Sequence, residues 1–151
     1  MHVPYLDLKV YDKDFKLTIL NSFKNILDSG KFLGNNEYEK FEKKFSKEVG
    51  SNYTVGVSSG SSALYLSLVA CGIGKGDEVI TSPFSWIVSS NAILAAGAKP
   101  VFVDIRDDFN IDPNEIAKSV NINTKAILPI HIAGHMCLMD EISLIAKRNK
   151  I

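Results

Sequence analysis

An α/β fold built on a mostly parallel sheet is predicted by three features of the sequence. From Asn52 onward, short β-type runs alternate with helix-type runs. Glycines and capping residues fall where the helices of that alternation should end and begin. The 151 residues, 46% of them hydrophobic and 23% charged, can bury a core of single-domain size.

The first fifty residues read as an arm and two amphipathic helices. Ile19, Leu20, Phe23, Ile26 and Leu27 lie at helical spacing, as do Tyr38, Phe41, Phe45 and Val49. Between them the glycines and asparagines of 30–36 predict a loop able to adopt positive φ. Residues 51–151 then read as four βα units. Strands are expected at 53–58, 78–81, 99–103 and 125–130, with helices at 61–71, at 86–96, over a short stretch after Asp112, and at 140–149. Gly72 and Gly97 suit left-handed helix C-termini. Asp112-Pro113-Asn114-Glu115 has the order of a capping box. The helix at 61–71 is apolar nearly all round and is expected to be buried. Ile151 follows a completed helix and looks like the start of a fifth strand, as though the chain were cut within a repeating architecture.

Several classes of function are disfavoured. Basic and acidic residues balance at 17 each, so no nucleic-acid partner is expected. Cys71 and Cys137 form no CxxC pair, and with His2, His131 and His135 they outline neither a disulfide framework nor a metal site. No apolar run approaches the roughly 20 residues of a membrane span, and a cytoplasmic setting is expected.

In an open parallel sheet, ligands lie beyond the carboxyl ends of the strands. Four segments of this chain should meet there: 58–62, 82–86, 104–107 and 131–135. Ser58-Ser59-Gly60-Ser61-Ser62 joins a strand to a helix through hydroxyls and unpaired amides. That is the chemistry of a phosphate cup, and equally that of an ordinary N-cap. It matches neither GxGxxG nor GxxxxGK[ST]. Trp86, the only tryptophan, could stack on a planar ring or pack as a core residue. His131 could reach a ligand or serve a structural hydrogen bond. Asp104 and Asp107 fit turn capping better than metal binding.

Taken together, these segments resemble the DegT/DnrJ/EryC1/StrS aminotransferases, sugar aminotransferases that use pyridoxal 5′-phosphate. The likeness runs through Val3-Pro4-Tyr5-Leu6-Asp7-Leu8, Ser29-Gly30-Lys31-Phe32-Leu33-Gly34 and Phe41-Glu42-Lys43-Lys44-Phe45. It continues through residues 55–64, 74–80 and 97–104, and ends with His131-Ile132-Ala133-Gly134-His135-Met136. The resemblance implies the large domain of a fold-type I pyridoxal-phosphate-dependent transferase, truncated after about four βα units. It places the cofactor phosphate on Gly60, Ser61 and Ser62, the ring against Trp86, and His131 nearby. It also implies amino transfer from an amino acid, usually glutamate, to a keto sugar carried on a nucleotide, by a homodimer. The Schiff-base lysine and the acid that pairs with the pyridinium are expected beyond Ile151, so the chain alone is expected to be inactive. The resemblance further implies that the first strand is separated from the next ones by strands later in sequence. A non-catalytic phosphate-binding or regulatory module remains the alternative. A Rossmann-type nucleotide binder is disfavoured by the missing glycine fingerprint.

Overall fold

The computed structural model describes residues 3–33 and 36–151; His2 and the expected loop residues Gly34 and Asn35 lie outside the described residues. The chain divides into two compact units, Met1–Gly56 and Val57–Ile151.

The first unit contains α1 (Lys13–Ser29) and α2 (Asn36–Val49). Asp12 caps α1 by accepting the Phe15 N–H at 2.8 Å. Gly30 ends it at φ 64°, donating its N–H to the carbonyls of Ile26 and Leu27, as the loop reading predicts. In α2 the rings of Phe41 and Phe45, one turn apart, lie 5.7 Å from each other. Neither helix contains a buried residue.

The second unit contains α3 (Gly60–Ala70), β1 (Glu78–Thr81), α4 (Val88–Ala95), β2 (Lys99–Phe102), α5 (Pro113–Ser119), β3 (Thr124–Leu128) and α6 (Met139–Asn149). The strands form a sheet in the order β2-β1-β3, with both pairings parallel. Val79 and Ile80 are each fully buried, and because successive side chains in a strand point to opposite faces, both faces of β1 must be covered. Val79 packs with Leu68, Ile73, Ala92, Ile93 and Ala98. Ile80 packs with Val103, Ile111, Ile116, Cys137 and Ile142. Pro100, which cannot donate to a ladder, sits opposite Val79 in β2, an edge strand of this sheet.

Three expectations are corrected. The run at 53–58 forms no strand, so the described residues hold three strands rather than four. No strand among the described residues pairs with it, and two of its backbone groups are bonded elsewhere: Gly56 N–H donates to the Glu42 carboxylate at 2.7 Å, and Ser51 Oγ donates to the Tyr53 carbonyl at 2.9 Å. Second, α3 is not buried all round. Only Leu68 is buried, while Tyr65, Leu66 and Val69 remain 38–46% exposed, because α4 covers one side of the helix and the described residues leave the rest open. Third, Asp112 caps α5 through Asn114 N–H at 2.8 Å, but the capping box is not closed. The Asp112 amide donates to the Asp104 carbonyl, and Glu115 pairs with Lys118 at 2.6 Å instead.

At the amino edge of the sheet, the Glu78 carboxylate accepts from Asn121 Nδ2 at 2.7 Å and from Lys99 Nζ at 2.8 Å. The Asn121 amide first, and the Lys99 ammonium second, hold that carboxyl below its ordinary range.

Truncating Ile80, fully buried against the second core cluster, should cost about 2–5 kcal/mol as Ile80→Ala. Leu66→Ala on the open side of α3 should cost no more than about 0.5 kcal/mol. Urea denaturation of both variants checks the contrast.

Candidate functional site

Because all three strands run the same way, their carboxyl ends and the loops that follow share one edge. Interactions between loops hold that edge together. Thr81 Oγ1, at the end of the central strand, donates to the Leu128 carbonyl at 2.9 Å and ties β1 to β3. In the loop after β1, the buried Ser82 hydroxyl accepts the Phe84 N–H at 3.1 Å. The Phe84 ring stacks on Phe109 from the loop after β2, with centroids 5.4 Å apart and planes 26° apart. That second loop is a small hairpin closed by an antiparallel bridge between Ile105 and Ile111, with Phe109 at φ 65°.

The loop after β3 carries His131. Its Nδ1 accepts the Cys137 N–H at 3.2 Å, so the proton of the neutral ring is placed on Nε2. Between them, Ile132–Gly134 forms a single 3-10 turn in which Ala133 has φ 50°. Cys137 is buried, and its thiol donates to the Ile130 carbonyl at 3.2 Å. Burial pushes that thiol up from its ordinary pKa, so it stays a neutral donor.

The start of α3 lies at the same edge. Close approaches at Gly74–Ala96 and at Gly97–Lys75 bring the C-terminal ends of α3 and α4 together. Ser61, Ser62 and Tyr65 from the first two turns of α3 and Val88, Asn91, Ala92 and Ala95 along α4 line a shared cavity of about 280 Å³. The two helices therefore run alongside each other in one direction, and α4 starts from the carboxyl end of β1. Ser59 caps α3 by accepting the Ser62 N–H at 3.1 Å, and the Ala63 N–H closes the first turn on the Ser59 carbonyl. The N–H groups of Gly60 and Ser61 have no partner among the described residues. Ser62 Oγ is held between the hydroxyls of Ser58 at 3.0 Å and Ser59 at 3.1 Å. A Cβ placed on Gly60 would meet nothing within 4 Å, so an anion has room there. Open amides, the positive end of the helix and serine hydroxyls together suit a phosphate group. One of the three amides, that of Ser62, is already used by the cap.

Trp86 lies in the turn ahead of α4 rather than inside the helix, and it is 78% exposed, which excludes the core reading within this chain. It borders a separate cavity of about 150 Å³ with Ser82, Ser85, Ser89, Ser90 and Phe102. The structure thus joins Ser61 and Ser62 in one cavity, places Trp86 on the other flank of the start of α4, and puts His131 in neither. What the three share is the edge.

The six lysines of the second unit avoid that edge. Lys75 lies in the turn before β1, Lys99 and Lys125 open β2 and β3, and Lys118, Lys147 and Lys150 close the helices that return from it. Among the described residues no cluster of three or more His, Cys, Asp or Glu is placed to hold a metal ion.

Sequence reasoning missed Asn110. It is only 1% exposed; its Nδ2 donates to the His135 carbonyl and its Oδ1 accepts the Ile132 N–H, both at 3.1 Å. An asparagine after Asp107-Asp108-Phe109 reads only as a turn former, and nothing local signals partners 22 and 25 residues away.

The model of the DegT/DnrJ/EryC1/StrS aminotransferase family matches residues 13–151, and the chain belongs to that family. It is 39% identical over 150 residues to a pleiotropic regulatory protein of Geobacillus stearothermophilus, covering 99% of this chain and 40% of that protein. It is 40% identical over 148 residues to a dTDP-3-amino-3,6-dideoxy-alpha-D-galactopyranose transaminase of Aneurinibacillus thermoaerophilus, covering 97% of this chain and 40% of that one. The crystal structure of S. venezuelae DesV, solved with a ketimine intermediate, superposes with a TM-score of 0.94 at 38% identity, over 99% of this chain and 40% of that one. Other solved structures of the same fold hold pyridoxamine or pyridoxal phosphate, the cofactor of this family. The chain spans about 40% of the length of the relatives it matches.

Replacing Ser59 with alanine removes the cap of α3 and should cost about 1 kcal/mol. Ser61→Ala, whose hydroxyl has no partner among the described residues, should be near neutral in the same thermal unfolding measurement.

Proposed function

We propose that the complete protein is a pyridoxal-phosphate-dependent aminotransferase and that residues 57–151 supply its cofactor cradle. The reaction moves an amino group from an amino acid, glutamate as the usual donor, to a keto sugar carried on a nucleotide. The observation that carries this reading is the open start of α3, where Gly60 and Ser61 present unclaimed N–H groups beside the cavity bordered by Ser61 and Ser62.

In this reading the amides of Gly60 and Ser61 and the Ser61 hydroxyl donate to the cofactor phosphate, charge-assisted bonds at the positive end of a helix. Ser62 Oγ, already held by Ser58 and Ser59, keeps the first turn rigid. Trp86 covers one face of the pyridine ring and excludes water from it. His131, with its proton on Nε2, donates a hydrogen bond from the loop after β3. Bound there, the cofactor supplies the electron sink that amino transfer requires. No lysine of this unit reaches the edge; in this reading, as the family resemblance implies, the lysine that moves the proton is contributed by residues other than the 151, in an assembly of two copies. A soluble, cytoplasmic setting follows from substrates of this kind, and no helix among the described residues is long and apolar enough to cross a membrane.

The regulatory name of the Geobacillus stearothermophilus relative favours a second reading, a non-catalytic module that keeps the phosphate cup. Glutamate added to the complete, cofactor-loaded protein separates the two. Conversion of the pyridoxal to the pyridoxamine form, read by absorbance, supports the enzyme, and an unchanged spectrum supports the module.

The cradle itself is tested by titrating the chain with pyridoxamine 5′-phosphate while following the fluorescence of Trp86, its only tryptophan. A saturable change is expected, weakened roughly tenfold by Ser61→Ala, the low end for losing a hydrogen bond to a charged group. Absence of saturation, or equal binding of pyridoxamine without its phosphate, would contradict the assignment.

A further inference from the structure

We propose that Asn110 is a positioning residue that fixes the hydrogen-bonding state of His131 from across the sheet. Among the described residues, its carboxamide is the one side chain that bonds both ends of the turn following His131. Oδ1 accepts the Ile132 N–H and Nδ2 donates to the His135 carbonyl, each at 3.1 Å. Between those two points lies Ala133 at φ 50°, a left-handed conformation that costs a non-glycine residue energy and persists where its surroundings hold it, followed by Gly134, which takes φ 82° freely. The same turn sets the distance between His131 and Cys137, whose N–H donates to His131 Nδ1 at 3.2 Å.

Asn110 is itself held before it reaches the turn. Its carbonyl accepts the Arg106 N–H at 2.9 Å, and its own N–H donates to Asp108 Oδ1 at 3.1 Å. Phe109 at φ 65°, stacked on Phe84, anchors the hairpin that delivers it. The carboxamide accepts from Ile132 through Oδ1 and donates to His135 through Nδ2; an ionised carboxylate keeps the first bond and loses the second. The buried carboxamide thus transmits the geometry of the loop after β2 into the tautomer of a histidine after β3. That His131 then meets the cofactor rests on the proposed function; its coupling to Asn110 does not.

The test uses the 151-residue chain without cofactor, at about pH 8, above the ordinary histidine range. Nitrogen-15 NMR of the imidazole reports the tautomer, and hydrogen exchange reports the Cys137 amide. The wild-type ring is expected to hold its proton on Nε2, with a protected Cys137 amide. In Asn110→Asp and Asn110→Ala the two tautomers should interchange. The Cys137 amide should exchange roughly five- to tenfold faster, what an ordinary hydrogen bond is worth. The amides of Val79 and Ile80 should keep their protection.

An unchanged ring signature in a folded variant overturns the proposal. So does a loss of protection as large at Val79 and Ile80 as at Cys137, which would make Asn110 a stability residue only. The outcomes separate from those of the cofactor reading. If pyridoxamine 5′-phosphate fails to bind while the ring still responds to Asn110, the cradle assignment falls and the coupling stands. If it binds and the ring does not respond, the reverse holds.

Discussion

Everything at the candidate site follows from the parallel pairing of β1 with both of its neighbours. A central strand with buried side chains on both faces needs helices on both sides, and parallel neighbours require each connection to cross back from one edge to the other. Every strand therefore delivers its carboxyl end to the same place. Thr81, by donating to Leu128 at the last position of the ladder, keeps those ends level.

The two edges of the sheet differ in chemistry. Opposite charges meet at the amino edge, where Glu78 gathers Lys99 and Asn121. The carboxyl edge gathers serine hydroxyls, open amides, stacked aromatic rings, the Arg106–Asp108 pair at 3.7 Å and a histidine whose Nδ1 accepts a backbone N–H. A dianionic ligand is favoured at the second edge by the start of α3 and by the absence of competing carboxylates on the segment 58–62. Exposed apolar side chains on the open side of α3 and at Trp86 and Ile87 belong to a chain that spans about 40% of its relatives.

Much of this was legible in residue patterns with a local cause. Gly72 and Gly97 take the positive φ that helix C-termini required, Gly30 takes the positive φ expected of its loop, and Asp112 caps the helix opened by Pro113. The three strands fall within a residue or two of their apolar runs. The failures have non-local causes. The run at 53–58 has the composition of a strand, yet no other strand among the described residues pairs with it, and its Gly56 N–H goes to Glu42, 14 residues back. The apolar girth of α3 gave no hint of which side would be covered. Trp86 continued a helical pattern that α4 does not adopt until Val88, in a helix with no side-chain cap to mark its start. Asn110 was invisible because its partners are set by the packing of two loops.

The most direct test of the account follows the backbone amides of Gly60 and Ser61 by NMR as pyridoxamine 5′-phosphate is added, with pyridoxamine as the control. Saturable shifts are expected at those two amides with the phosphorylated compound and none with the control. The cradle assignment is contradicted if the two amides stay still while others move, or if both compounds shift them alike.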